Sequence, residues 1–240
     1  MPATGEATEE MKTARTRKYL VLIVTLVGVL LLHSFSRHAA MGSLVSHVLV
    51  TLAVLAVFLT VFNGARERAI AFLAAAAAIV VVWAHHVAPT SLQFPLEIAH
   101  YVLQALFVGF AVVVILTSVL RQKRVTSDEV LGAVCGYLLA GVFFGNVYSL
   151  IELLSPGSFS MSQQFAADLA TWDGRISLFD YFSLVTLTTM GYGDVTPVHG
   201  PARTFALIEA VFGQFYIAVL VAQLVGLRLA QAMQPNDAGG

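Results

Sequence analysis

The residues that are the strongest candidates for a chemical function form one short run, Thr189–Asp194, with the sequence TMGYGD. Its glycines, Gly191 and Gly193, allow backbone conformations of alternating sign that residues with a Cβ resist. Consecutive carbonyls can then face one axis while the side chains of Met190 and Tyr192 point away into protein. Four such loops would supply rings of carbonyl oxygens that replace the hydration shell of a cation. The run therefore predicts a binding site for a dehydrated cation.

The composition places this site in a membrane. The chain has 240 residues, of which 58% are hydrophobic and 11% are charged, and its mean hydropathy is +0.82. An ordinary soluble domain is about a quarter charged, and a soluble fold of this size could not bury so much apolar surface. The net charge of -1 provides no basic excess for nucleic acid. The single cysteine, Cys135, excludes a disulfide framework within one chain.

Six apolar stretches are long enough to cross a bilayer, which requires roughly 20 helical residues. They are Tyr19–Phe35, Ser43–Phe62, Ala69–His85, Ile98–Leu120, Val130–Leu154 and Thr204–Val225. With the N-terminus in the cytoplasm, ten of the thirteen lysines and arginines lie inside and three lie outside. The positive-inside rule therefore predicts that both termini are cytoplasmic.

A seventh apolar segment is too short to span. Ile176–Thr188 lies in the long outer connection Ser155–Arg203 and runs directly into the TMGYGD run. Asp173 is a candidate for the N-cap of a helix there. Irregular backbone at membrane depth persists only where it lines a path for water or ions. The pattern predicts a re-entrant helix followed by an ion-lining loop.

This arrangement resembles the filter of tetrameric P-loop potassium channels. The resemblance covers a pore module from Val130 to Val225 and implies an outer helix, a pore helix, a filter and an inner helix, assembled as a homotetramer in lipid. It implies that K+ is bound by the Thr189 hydroxyl and by the carbonyls of Thr189, Met190, Gly191 and Tyr192. Val or Ile is usual in the family where Met190 stands, but that position contributes only its carbonyl. No other cofactor is expected.

The same resemblance implies residues that support the filter. Tyr181 occupies a position where family members carry an aromatic group, and its hydroxyl can donate to the carboxylate of Asp194. Glu209 is expected to be a buried hydrogen-bond acceptor behind the filter, because a polar group in a lipid-depth helix is a functional candidate. Gly213, in the middle of the inner helix, is a candidate gating hinge, although a packing role is the stronger expectation.

These assignments divide the chain into four parts. Residues 1–18 and 231–240 are predicted cytoplasmic tails, 19–124 a four-helix transmembrane domain, and 125–230 the pore domain. The fourth span, Ile98–Leu120, contains no lysine or arginine, so it lacks the charges of a voltage sensor. Since only about seven residues join this span to the fifth, the four-helix domain is expected to pack on the pore of its own chain.

The sequence therefore predicts an all-α membrane protein that conducts K+ passively across the cell membrane. The alternatives are a non-conducting sensor or regulatory subunit with a vestigial pore and a secondary transporter, but no inverted repeat is present for the latter. No catalytic constellation supports an enzyme. The gating stimulus and the rectification are not encoded in any recognisable motif.

The histidines form a further pattern. All seven fall at the predicted outer ends of spans or in outer loops: His33, His38, His47, His85, His86, His100 and His199. Histidine changes charge near neutral pH and is also a common zinc ligand. A role in sensing external pH or metal is one hypothesis, with His47 and His100 as the best pair. The simpler interpretation is that these are tolerated interfacial residues.

Overall fold

The computed structural model describes residues 19–31, 42–62, 64–121 and 127–232. In chain order the elements are α1 Tyr19–Leu31, α2 Gly42–Val61, α3 Ala65–Val87, α4 Thr90–Arg121, α5 Ser127–Leu154, β1 Phe159–Met161, α6 Gln163–Ala166, a 3-10 turn Ala167–Ala170, α7 Trp172–Leu187, β2 Val195–Pro197 and α8 Gly200–Ala232. The predicted tail 1–18, most of the tail 231–240, the boundary near residue 124, His33 and His38 lie outside the described residues.

Long apolar helices dominate the described part of the chain. Five of them, α2, α3, α4, α5 and α8, are long and apolar enough to cross a membrane. α1 is apolar but is described over 13 residues only, which corresponds to roughly 20 Å at 1.5 Å per residue. The remainder of the first predicted span, residues 32–35, lies outside the described ranges. The prediction of an all-α membrane protein is confirmed.

Two helices extend well beyond the apolar runs that predict them. α4 begins at Thr90 instead of Ile98 and has Pro95 inside it, and α8 begins at Gly200 instead of Thr204. The hydropathy pattern misses these extensions because their residues are mixed in polarity, whereas backbone hydrogen bonding does not depend on polarity. The ends of spans are therefore set by the helix and not by the apolar run alone.

Two cores hold the helices together, and α5 contributes to both. The larger core contains residues of all five helices from α1 through α5, together with Trp172, Ile176 and Leu187 of α7. The smaller core packs aromatic rings of α5 and α7 around Phe159, with Phe159 and Phe179 centred 4.7 Å apart. The leading helices thus pack on α5 and α7 of the same chain, as the short linker predicts.

The glycines of α5 are the places where neighbouring helices approach closely. A Cβ at Gly136 would lie 2.6 Å from the Tyr216 hydroxyl of α8, and one at Gly141 would lie 2.7 Å from Leu184 of α7. A Cβ at Gly145 would collide with Asp180 of α7. Small residues at such positions allow helix backbones to come together. Gly141 and Gly145 therefore seat the short helix α7, and Gly136 seats α8.

A small β-ribbon, which the sequence pattern does not predict, closes the long connection between α5 and α8. β1 and β2 pair antiparallel, with Ser160 opposite Thr196. The backbone N–H groups of Val198 and His199 both donate to the carbonyl of Ser158. The ribbon attaches the segment that follows Asp194 to the segment directly after the C-terminal end of α5.

Candidate functional site

The short helix α7 positions the TMGYGD loop. Its N-cap is Thr171, whose hydroxyl accepts a 3.1 Å hydrogen bond from the backbone of Gly174. The prediction of Asp173 as the N-cap is wrong, because Asp173 lies in the first turn of the helix. A carboxylate there still complements the positive end of the helix dipole. α7 runs for 16 residues to Leu187, directly before the loop.

The loop has the alternating backbone that its glycines predict. Thr189 has a φ of 59°, Gly191 of 54° and Gly193 of 77°, whereas Met190 and Tyr192 are not among the residues with positive φ. In an extended strand successive carbonyls point to opposite sides. Reversing the sign of φ at every second residue lets them face the same side. Thr189 adopts this conformation without being glycine.

The amides of the loop turn back toward α7. The N–H of Thr189 donates to the carbonyl of Thr186, and that of Met190 to the carbonyl of Val185, both at 2.9 Å. The N–H of Gly191 also donates to Val185, at 3.3 Å. The last carbonyls of a helix need such partners. The loop thus uses its donors on the end of the helix, and these bonds leave its own carbonyl oxygens available for a cation.

Side chains of α5 and α8 contact the N-terminal end of the loop. Gln214 of α8 donates through Nε2 to the Thr189 hydroxyl at 3.2 Å, and that hydroxyl donates to the Thr188 carbonyl at 2.7 Å. Tyr137 of α5 donates to the carbonyl of Leu187 at 2.9 Å. The predicted hydroxyl ligand is therefore oriented by its neighbours.

The structure brings the predicted pair Tyr181 and Asp194 together. The Tyr181 hydroxyl donates a short hydrogen bond to Oδ2 of Asp194, while Oδ1 accepts from the backbone of Val195 at 3.0 Å. Burial, with the hydrogen bond and the charge of Asp194, raises the pKa of Tyr181 to about 12. The phenol therefore keeps its proton and remains a donor. Asp194 thereby connects the end of the loop to α7 and to the β-ribbon.

Glu209 is fully buried and joins three helices. Its carboxylate accepts a 2.6 Å hydrogen bond from the Tyr148 hydroxyl of α5 and a short one from Ser183 of α7. The Ser183 hydroxyl is also 2.7 Å from the carbonyl of Gly141. Glu209 is thus a buried acceptor, as its predicted role requires, and its partners lie on the helix that carries the loop and on α5. Whether it steadies the filter stays a prediction.

Gly213 lies where α8 touches the end of α7. A Cβ at this position would collide with the carbonyl oxygen of Leu187 and would lie 3.1 Å from the Leu187 Cδ1 atom. The contact gives Gly213 a packing function, which is the stronger of the two expectations for it. The candidate hinge stays a prediction.

The side chains of Met190 and Tyr192 were expected to point into protein, but within one chain they do not. Their side chains are 56% and 64% exposed, so they do not pack into the protein that carries them. The loop stands at the surface of the chain, with Thr188–Gly193 all exposed.

Some residues of the site are not predicted by the sequence. Tyr148 and Ser183 hold Glu209, and Tyr137 holds the end of α7. Hydroxyl groups within apolar helices are the available signal, but many such groups simply bond their own helix, as Thr60 does.

Two glutamines of α8 do stand out in the sequence, because they are polar residues in an apolar helix. Gln214 contacts the Thr189 hydroxyl, as described above. Gln223 joins α8 to the end of α4, where it donates to the carbonyls of Val119 and Leu120. Both therefore link the inner helix to other parts of the chain.

The fold and the loop together define a class of protein, a membrane protein in which two spanning helices enclose a re-entrant helix and an ion-lining loop. The profile of the ion channel family, a two-helix pore domain of the potassium channel superfamily, matches residues 133–227. This range is nearly the predicted pore module. The chain belongs to the ion channel family.

Two similar proteins bear the name Protein LctB. The one from Bacillus caldotenax is 30% identical over 130 residues, which are 50% of this chain and 92% of that protein. The one from Geobacillus stearothermophilus is 32% identical over 111 residues, which are 45% of this chain and 78% of that protein. No solved structure matches the chain.

Proposed function

We propose that this ion channel is selective for potassium and conducts it passively through a homotetramer. The observation that carries the proposal is the alternation of positive φ at Thr189, Gly191 and Gly193. Because the amides of this loop donate to α7, carbonyl oxygens remain to replace the hydration shell of K+. The proposed ligands are the Thr189 hydroxyl and the carbonyls of Thr189, Met190, Gly191 and Tyr192.

Exposure of the loop and of α8 supports assembly from several copies. Met190 and Tyr192 are more than half exposed, and large apolar side chains such as Leu207, Phe215 and Val225 are at least 60% exposed along α8. Backbone carbonyls cannot face lipid. Fourfold closure would enclose the loop, bury part of α8 and give each interior ion eight oxygens. We place the protein in the cell membrane, and the excess of lysine and arginine in the predicted cytoplasmic segments favours an orientation with both termini in the cytoplasm.

The test is ion flux from purified protein in planar bilayers. Potassium and rubidium should permeate far better than sodium under bi-ionic conditions, and cross-linking should yield a tetramer. Equal sodium and potassium permeability would overturn the selectivity. Absence of any flux, with the tetramer intact, would instead favour the non-conducting subunit that the sequence leaves as an alternative.

A further inference from the structure

Four histidines from three helices gather at the start of α7. His47 of α2, His85 and His86 of α3, and His100 of α4 form this histidine cluster together with Trp172. The Trp172 ring lies 4.5 Å from that of His47, 5.4 Å from that of His85 and 5.1 Å from that of His100, between centroids. His47 also lies 5.0 Å from His86 and 6.0 Å from His85. The cluster therefore joins the four-helix domain to the pore helix.

The cluster runs from the interior to the surface. His47 is 2% exposed and His100 is 1% exposed, whereas His86 is exposed. Among the described residues, Nδ1 of His100 has no hydrogen-bond partner. A charge on such a buried ring would lack compensation. The packing seen here consequently suits neutral imidazoles, and His86 is the exposed member of the cluster, just beyond the predicted span Ala69–His85.

An ion pair beside the cluster binds the same elements together. Arg175 of α7 pairs with Glu97 of α4 and also donates to the carbonyl of Leu169 at 3.0 Å. Oε1 of Glu97 lies 3.5 Å from Nε2 of His85. His85 therefore faces one oxygen of this carboxylate and Arg175 the other, so a protonated His85 would place a second positive charge beside the Arg175 guanidinium. Protonation would weaken the attachment of α7 while it places like charges on neighbouring rings.

Other groups on the packed elements modify this balance. The charged and titratable side chains around the cluster are Glu97 and Tyr101 on α4, Asp168 on the 3-10 turn, and Asp173, Arg175 and Asp180 on α7. The carboxylates attract protons, whereas Arg175 and any ring already charged oppose them. No trio of His, Cys, Asp or Glu in the described residues is arranged to hold a metal ion. The cluster thus points to a proton as its ligand.

We propose that the histidine cluster senses extracellular protons, and that its protonation loosens the four-helix domain from the start of α7 and lowers the ion current. The proposal rests on conduction through the loop that α7 carries. α7 is a rigid rod of about 24 Å at 1.5 Å per residue, with Trp172 and Arg175 near one end and the loop at the other. A displacement at its first turn is transmitted to Thr188 and the loop.

The first test is current through reconstituted protein while external pH is lowered from about 8 to 5.5, which brackets the ordinary titration range of histidine. We expect the current of the unmodified protein to fall at least threefold. His85→Gln/His86→Gln should abolish this response, because His85 faces Glu97 and His86 is the exposed member of the cluster. His199→Gln is the matched control, since His199 is exposed and outside the cluster, and it should keep the full response. A flat current, or a full response in the double variant, overturns the proposal.

The second test does not depend on conduction or on selectivity. Trp172 and Trp83 are the only tryptophans of the chain, so Trp83→Phe isolates the fluorescence of Trp172. A protonated imidazole in contact with an indole quenches its emission. Emission should therefore fall as pH falls. The pH at the midpoint of this change should equal the pH at which the current has fallen halfway. Emission that is constant from about pH 8 to 5.5 across the histidine range would overturn the proposal, even if the histidine double variant did not fold.

Discussion

Tyr148 of α5 and Glu209 of α8 form a 2.6 Å hydrogen bond between two side chains that are both fully buried. The same carboxylate accepts a hydrogen bond from Ser183, so one buried acid connects both spanning helices of the pore to α7. Leaving such a group with fewer donors costs its desolvation free energy. The stability of the pore unit should therefore depend on this contact.

Tyr148→Phe tests that dependence. Removing the hydroxyl should lower the free energy of unfolding by about 1–3 kcal/mol, the cost of an unsatisfied buried acceptor. Thermal unfolding in detergent measures the effect, and the same substitution in a Glu209→Gln background completes a double-mutant cycle. Strictly additive effects in that cycle would mean that the two side chains are not coupled.

Gly191→Ala should abolish potassium flux. Gly191 has a φ of 54°, and the space that a Cβ would occupy there is open, so alanine would meet backbone strain of about 1–2 kcal/mol and no steric clash. Gly200→Ala is the matched control, because its Cβ would also meet open space but its φ is not positive. Rubidium uptake into liposomes should be lost in the first variant and preserved in the second. Equal uptake by both would contradict the proposed role of the alternating backbone.

Tyr181→Phe should destabilise the conducting state of the loop. The substitution removes the hydrogen bond to Asp194 but keeps the ring, so inactivation should become faster and the affinity for K+ weaker. Phe165→Leu serves as the comparison, because Phe165 stacks on Tyr181 with centroids 6.1 Å apart. If only Phe165→Leu changes inactivation, the tyrosine acts through packing and not through its hydroxyl.

Gly213→Ala and Gly226→Ala should have opposite effects on stability. Alanine at 213 collides with the carbonyl of Leu187, and such overpacking costs about 1–3 kcal/mol. Alanine at 226 meets open space in the same helix and should gain about 0.5–1 kcal/mol from helix propensity. Melting temperatures compare the two. A stable Gly213→Ala protein with altered gating would favour the hinge over the packing role.

The sequence by itself determined that this chain is an all-α membrane protein with an ion-lining loop. Apolar length is a local property, so the runs that lie within the described residues predict α2, α3, α4, α5 and α8. The positions of Gly191 and Gly193 are equally local, and they predict the alternating backbone. Helix ends were less accessible, since Thr171 and not Asp173 caps α7 and both residues are acceptable cap types.

Only the tertiary structure decided which side chains meet. Tyr148 and Glu209 are 61 residues apart, and no spacing rule relates residues on different helices. The same holds for the β-ribbon, for Gly213 against Leu187, and for the histidines around Trp172. The hydropathy pattern shows that each helix is apolar, but neither how much of it the chain buries nor which partner buries it: the α5 and α8 windows have hydropathies of 1.9 and 2.0 but are 56% and 17% buried. Partners are chosen by the rotation and crossing of packed helices, which depend on the whole set of contacts at once.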